Sequence, residues 1–125
     1  MDINEVSGNI VDAAMKVHTV LGPGLLESAY EACLTHELRK RGRKVLVQVG
    51  LPVLYDDIKL DVGYRIDLLG DDCVIVELKA VEKILPLHEA QLLSYLKLSG
   101  KKVGLLINFN VIRLTQGIKR MVNNL

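Results

Sequence analysis

Apolar residues recur at helical spacing from the start of the chain, where Ile3, Val6, Ile10, Ala13, Val17 and Val20 mark one face of a helix ending near Leu21. Asp2-Ile-Asn-Glu5 ahead of them reads as a capping box. Gly22-Pro23-Gly24 breaks the pattern. A second helix is expected over about 25–41, with Glu27, Tyr30, Leu34 and Leu38 on related turns, and Gly42 stops it. From Lys44 the period falls to two. Strands are predicted over 44–49, 53–55, 59–62, 64–69 and 73–79, separated by Gly50, Asp56-Asp57 and Gly70-Asp71-Asp72. Pro86 introduces a third helix of about 87–99, which Gly100 ends. Residues 103–108 form an unbroken apolar run, expected to be a strand buried on both faces. Residues 117–122 read equally as a short helix or an edge strand. This order predicts an α/β or α+β sandwich, a mixed central sheet flanked by helices.

At 125 residues the chain is expected to form one domain. Half of its residues are hydrophobic, which implies a well-filled core or an apolar subunit interface, so a homodimer is compatible with it. No apolar run approaches the roughly 18 residues of a membrane span, and no signal peptide opens the sequence. Cys33 and Cys73 lack motif spacing and read as free, buried thiols in a reducing cytoplasm. No Cys/His grouping supports zinc. The net charge of +1 conceals a basic cluster of Arg39, Lys40, Arg41, Arg43 and Lys44. Such a cluster either steers phosphates or is a solvated helix end.

The candidate chemistry lies in Asp67, Val76-Glu77-Leu78-Lys79 and Gln91-Leu-Leu-Ser-Tyr95. Strand alternation puts Glu77 and Lys79 on one face while Leu78 points into the core. A carboxylate and an ammonium among buried valines are costly without a purpose, and a divalent ion with a phosphate supplies one. The turn at Gly70 decides whether Asp67 joins them. A two-residue turn sets Asp67 opposite Val74 and leaves Glu77 on the other face; a three-residue turn of 70–72 sets Asp67 opposite Ile75, with Glu77 diagonal on the same face. The chemistry requires the second register. Two carboxylates, a carbonyl and waters satisfy magnesium. Lys79 could then orient the nucleophile or neutralise charge developing on a phosphate. Taken alone, Glu-X-Lys is an ordinary ion pair at a strand end.

His88, Gln91 and Tyr95 form one stripe of the third helix, beside Leu92, Leu93 and Leu96, which would dock it on the sheet. Glu27 in the first turn of the second helix is also favoured by the helix dipole alone. Tyr30 is compatible with a place in the core, and His18 reads as a packing or capping residue.

Together these residues resemble the GxxExxY family, through Gly24-Leu-Leu-Glu27-Ser-Ala-Tyr30, Tyr64-Arg-Ile-Asp67-Leu-Leu, Val76-Glu77-Leu78-Lys79-Ala80 and His88-Glu-Ala-Gln91-Leu-Leu-Ser-Tyr95-Leu-Lys. Ile107-Asn108-Phe109-Asn110 continues the resemblance over nearly the whole chain. That family looks like a compact branch of the PD-(D/E)XK nuclease superfamily, and the Gln-x-x-x-Tyr element is similar to its RecB-like branch. The resemblance implies a restriction-endonuclease-like α-β-β-β-α-β core over 1–125 and a Mg2+- or Mn2+-dependent nuclease acting on nucleic acid, with DNA the expected substrate. Glu27, Asp67 and Glu77 would be the metal-side acids and Lys79 the catalytic lysine, with Gln91 and Tyr95 supporting the site. The proline of the superfamily name is absent, since Ile66 precedes Asp67. A nuclease fold can also serve a non-catalytic nucleic-acid-binding module or a homodimeric assembly module.

Overall fold

The computed structural model describes residues 2–124. Helix α1 spans Ile3–Leu21 and α2 spans Glu27–Lys40. Strands β1 (Val45–Gly50), β2 (Val53–Tyr55), β3 (Ile58–Leu60), β4 (Arg65–Gly70) and β5 (Val74–Lys79) follow, then α3 (Pro86–Ser99), β6 (Val103–Asn108) and β7 (Ile118–Val122). The main sheet is mixed and five-stranded, in the order β1-β4-β5-β6-β7, with β5 and β6 parallel and the other neighbours antiparallel. This is an α+β fold consistent with the restriction-endonuclease-like architecture. The 117–122 region is an edge strand, and β6 is buried along its whole length.

Two helices cover one face of the sheet and one covers the other. Val6, Ile10, Ala13, Val17, Leu34 and Leu38 of α1 and α2 pack on Leu68, Val74, Val76, Leu78, Leu105 and Ile107. On the opposite face Leu92, Tyr95 and Leu96 of α3 pack on Ile75 and Leu106. Leu93 is only half-buried, so the docking stripe is narrower than its sequence suggests.

Element ends depart from expectation for local reasons. Asp2 accepts a hydrogen bond from the Asn4 N–H at 2.9 Å, while Glu5 reaches Arg43 at 3.6 Å, so the cap is not reciprocal. Helix α2 starts at Glu27 because Leu26 is its extended N-cap and the Leu25 N–H is held by the Tyr30 hydroxyl. Tyr30 is a core residue. Its hydroxyl donates to the Gly22 carbonyl at 2.6 Å, and its ring stacks on Phe109 with centroids 4.4 Å apart. His18 is a packing residue whose Nε2–H donates to the Val111 carbonyl at 2.8 Å.

The basic cluster belongs to the fold. Arg41 bridges Glu37 and Asp12, Arg43 bridges Asp71 and Glu5, and Arg39 donates to the Val45 carbonyl. Arg43 and Asp71 meet at the turn before β5, the end of that strand opposite Lys79.

Candidate active site

The β4–β5 register is neither of the two considered from sequence. Asp71 and Asp72 are both left-handed (φ 46 and 58), and the Cys73 N–H donates to the Gly70 carbonyl at 3.0 Å. Cys73 is then an extra residue, and Gly70 pairs with Val74, Leu69 with Ile75 and Leu68 with Val76. Three residues separate the paired ends, but the turn is 71–73 instead of 70–72. Asp67 therefore stands level with Glu77, not diagonal to it. The same-face requirement is met in a tighter arrangement.

At this level the strands separate and their side chains bridge the gap. The Asp67 N–H donates to Glu77 Oε2 at 2.8 Å, and the Leu78 N–H donates to Asp67 Oδ2 at 2.8 Å. Each carboxylate thus takes a backbone donor from the other strand where a ladder bond would lie.

A second distortion occurs at the same level. Within β4, Leu68 packs on the α1/α2 side and Ile66 on the α3 side, although strand residues two apart should share a face. Strand β1 does the same, with Val45 on the first side and Val49 on the second. Between them lies Gln48, a non-glycine residue at φ 53. The β1–β4 ribbon turns over at the Gln48–Asp67 level. Side chains from α2 on one face and from β5 and α3 on the other can therefore meet at this end of the sheet. Gln48 Nε2 donates to Glu31 Oε1 at 2.6 Å and to Asp67 Oδ1 at 3.2 Å, linking α2 to the acid pair.

The electrostatics follow from burial and crowding. Glu77 is 4 % exposed, and its pKa is pushed up to about 8, first by burial and then by Asp67. The Asp67 N–H and Lys79 oppose that rise only partly, while Glu27 adds to it. The Glu27 residue is exposed, yet partial desolvation of its carboxyl, then Asp67 and Glu31, raise its pKa against Lys79. Tyr95 is raised by burial first, then by Glu77, Tyr64 and Asp67. Glu27, Asp67, Glu77, Lys79 and Tyr95 thus share one field. Gln91 joins them through a cavity of about 580 Å³ that Lys79 and Tyr95 also line.

Among the described residues, no three acids converge as a ready cage for a metal ion. Asp67 and Glu77 are the inner pair, with Glu27 at the rim. That suits magnesium, which binds one or two carboxylates and keeps several waters. A carboxyl driven towards neutrality by burial and then by its acidic neighbour is a site short of positive charge, so the donor set fits a hard divalent ion.

Glu31 and Gln48 were not singled out from sequence. Their signals are visible in retrospect: Glu27 and Glu31 are like charges at i, i+4, an unfavourable pair on a helix, and Gln48 interrupts the apolar run Val45-Leu-Val-Gln-Val49. The framework behind the site is held by Asn108, level with Lys79 on the neighbouring strand and 2 % exposed. Its Oδ1 accepts from the Val81 and Asn110 N–H groups, and its Nδ2 donates to the Val81 carbonyl. The Phe109 N–H donates to the Lys79 carbonyl at 2.9 Å, so the Tyr30–Phe109 stack connects the start of α2 to the end of β5.

No curated protein and no solved structure matches the chain. The sequence model of the PD-(D/E)XK nuclease superfamily, whose members typically use a divalent metal, matches residues 4–121. That span takes in α1 to β7 nearly entire, with the crossed carboxylates, Lys79 and the α3 stripe inside it, and the chain belongs to the PD-(D/E)XK nuclease superfamily.

Proposed function

We propose that this chain is a Mg2+- or Mn2+-dependent nuclease of the GxxExxY branch that hydrolyses phosphodiester bonds in DNA, working as one domain over residues 1–125 in the cytoplasm. The observation that carries the reading is the buried Glu77, held at a pKa of about 8 beside Asp67, with Lys79 following on the same strand face. A buried acid pair of this kind weakens the apo fold, so a bound cation gives the arrangement a function.

In this mechanism Asp67 and Glu77 would hold the ion, with Glu27 completing its surroundings from the rim. When bound, the ion would supply Lewis-acid polarisation and charge neutralisation at the scissile phosphate. Lys79 supplies its ammonium where charge develops on the phosphate oxygens, or orients the attacking water. Gln91 and Tyr95 line the approach and position the strand on the Lys79 side. The Gln48 amide holds Asp67 against Glu31 and so limits how far the acid pair can spread.

A second reading, an assembly role for a homodimer, is favoured by the two-stranded β2–β3 ribbon, which exposes Leu54, Tyr55 and Ile58 at 55 %, 69 % and 57 %. The test is cleavage of duplex and single-stranded DNA by purified protein with magnesium or manganese, with chelation and Glu77→Ala as controls. Metal-dependent cleavage lost in Glu77→Ala supports the nuclease. Absence of cleavage, with no calorimetric binding of either metal to the wild type, overturns it in favour of the assembly reading.

A further inference from the structure

The cavity beside Lys79 is larger than catalysis at a single phosphate requires. It encloses about 580 Å³ between the segment leading into β4 and the outer stripe of α3. Tyr64 forms one wall and Tyr95 another, their ring centroids 5.9 Å apart and their planes inclined at 55°. Tyr64 is 44 % exposed, so much of its ring is free for a further partner. Val53 of the β2–β3 ribbon and Leu98 of α3 add apolar surface. Gln91 and Ser94 supply an amide and a hydroxyl from successive turns of the helix, and neither side chain makes a hydrogen bond within the protein among the described residues. Ligand cavities of this size typically combine an apolar lining with a few convergent polar groups.

Position narrows the occupant. Lys79 lines the cavity and follows Glu77 on the same face of β5, so the cavity adjoins the acid pair through Lys79, and neither acid lines it. Tyr95 spans both, forming a cavity wall while packing with Ile66 and Ile75 on the sheet face that carries Glu77. A group covalently attached to a phosphate at the acids would enter here. In a nucleic-acid strand that group is a nucleoside, with two aromatic faces and an edge of donors and acceptors. A base inside a duplex has its faces stacked and its edge paired, so it could enter only after extrusion, whereas a single strand, loop or frayed end presents it directly.

We propose that this cavity is a pocket for one unpaired nucleobase adjoining the scissile phosphate, with Tyr64 as its stacking surface and Gln91 and Ser94 reading its edge. The enzyme therefore prefers single-stranded or unpaired nucleic acid to continuous duplex. The inference rests on the nuclease reading for the location of the phosphate. Tyr64 is a specificity residue outside the acid and lysine machinery. Its carbonyl is fixed by the Leu51 N–H at 2.9 Å, which holds the wall in place when the ring is changed.

The test measures binding and cleavage on the same oligonucleotides. In chelator, the affinity of a fluorescein-labelled single strand is compared with that of its duplex by anisotropy, for wild type, Tyr64→Ala and Tyr64→Phe. A single strand containing 2-aminopurine reports stacking directly through fluorescence quenching. Wild type should favour the single strand about tenfold and quench the probe; Tyr64→Ala should lose about tenfold on the single strand with duplex binding unchanged; Tyr64→Phe should behave as wild type. With magnesium, cleavage should follow the same ranking. Equal affinity for both substrates, or a Tyr64→Ala protein that quenches the probe as wild type does, overturns the pocket. Duplex cleavage unaffected by either variant alongside such a result leaves the nuclease standing without the pocket. Absence of both binding and cleavage removes both.

Discussion

Glu77 and Asn108 are the most deeply buried polar side chains on the sheet, on neighbouring strands, and they are satisfied very differently. Asn108 exchanges three hydrogen bonds with Val81 and Asn110, and its amide is nearly fully used. Glu77 accepts one backbone N–H and otherwise faces Asp67, Glu27 and Lys79. The first is a neutral group that closes a loop. The second is an acid kept in a place that disfavours its charge. Burial alone does not separate structural from chemical residues; the fraction of a buried group's hydrogen-bonding and charge requirement that the protein itself meets does so better.

Removing each group should therefore damage a different property. Glu77→Gln or Asp67→Asn should lower turnover at least about a thousandfold through loss of the ion, with the melting temperature retained or raised, because the amide oxygen still accepts the crossed backbone N–H while the buried acid is gone. Steady-state cleavage and thermal melts read both quantities. A Glu77→Gln protein that melts far below wild type would erase the contrast with Asn108. Lys79→Ala should cost about 10²–10³ in rate while calorimetric metal affinity stays close to wild type. Asn108→Ala should do the reverse. Stranding the Val81 and Asn110 backbone groups should cost about 2–4 kcal/mol in denaturant unfolding, and activity per folded molecule should fall only as far as the loop after β5 moves.

Proton linkage sharpens the comparison further. The Glu77 pKa rises from an ordinary 4.5 to about 8 on folding, so across that interval the native state holds a proton that the unfolded chain has released. Stability of the metal-free protein should accordingly fall as pH climbs from about 4.5 through about 8, and Glu77→Gln should flatten that slope. Metal affinity should rise over the same interval, because the ion displaces the proton. Titration calorimetry at several pH values in two buffers measures both the affinity and the proton released. The smallest effect belongs to the basic cluster. Lys40 is exposed at the C-terminus of α2, and on Lys40→Gln nucleic-acid affinity by anisotropy should change by less than about 0.5 kcal/mol.

The elements, their order and the two-sided burial of β6 were legible because each rests on local periodicity and breakers. The register was harder. The parity of the Gly70 turn could be argued from what the acids need, but the placement of the extra residue at Cys73 depends on Asp71 and Asp72 both adopting left-handed backbone, which neither residue type requires. The places of Glu31 and Gln48 beside Asp67 were illegible for a related reason. They matter only because the β1–β4 ribbon turns over at Gln48, and a single φ of 53 in an otherwise apolar strand leaves no periodic trace. The basic cluster was ambiguous because its partners Glu5, Asp12 and Asp71 come from distant parts of the chain. Cys33 and Cys73 are free, as their spacing suggested, but half-buried instead of buried.

The ribbon's turnover has a kinetic consequence. Asp67 and Glu77 are joined by one short hairpin, a contact that forms early and locally, whereas Glu27, Gln91 and Tyr95 arrive with helices packed on opposite faces of the finished sheet. A partly folded chain can therefore present two carboxylates but not the surrounding site. The hairpin contact between the acids involves no residue of α3 or β6, which lie beyond it in the chain. On the proposed function, full metal affinity and hydrolytic competence would then come only with the last long-range contacts.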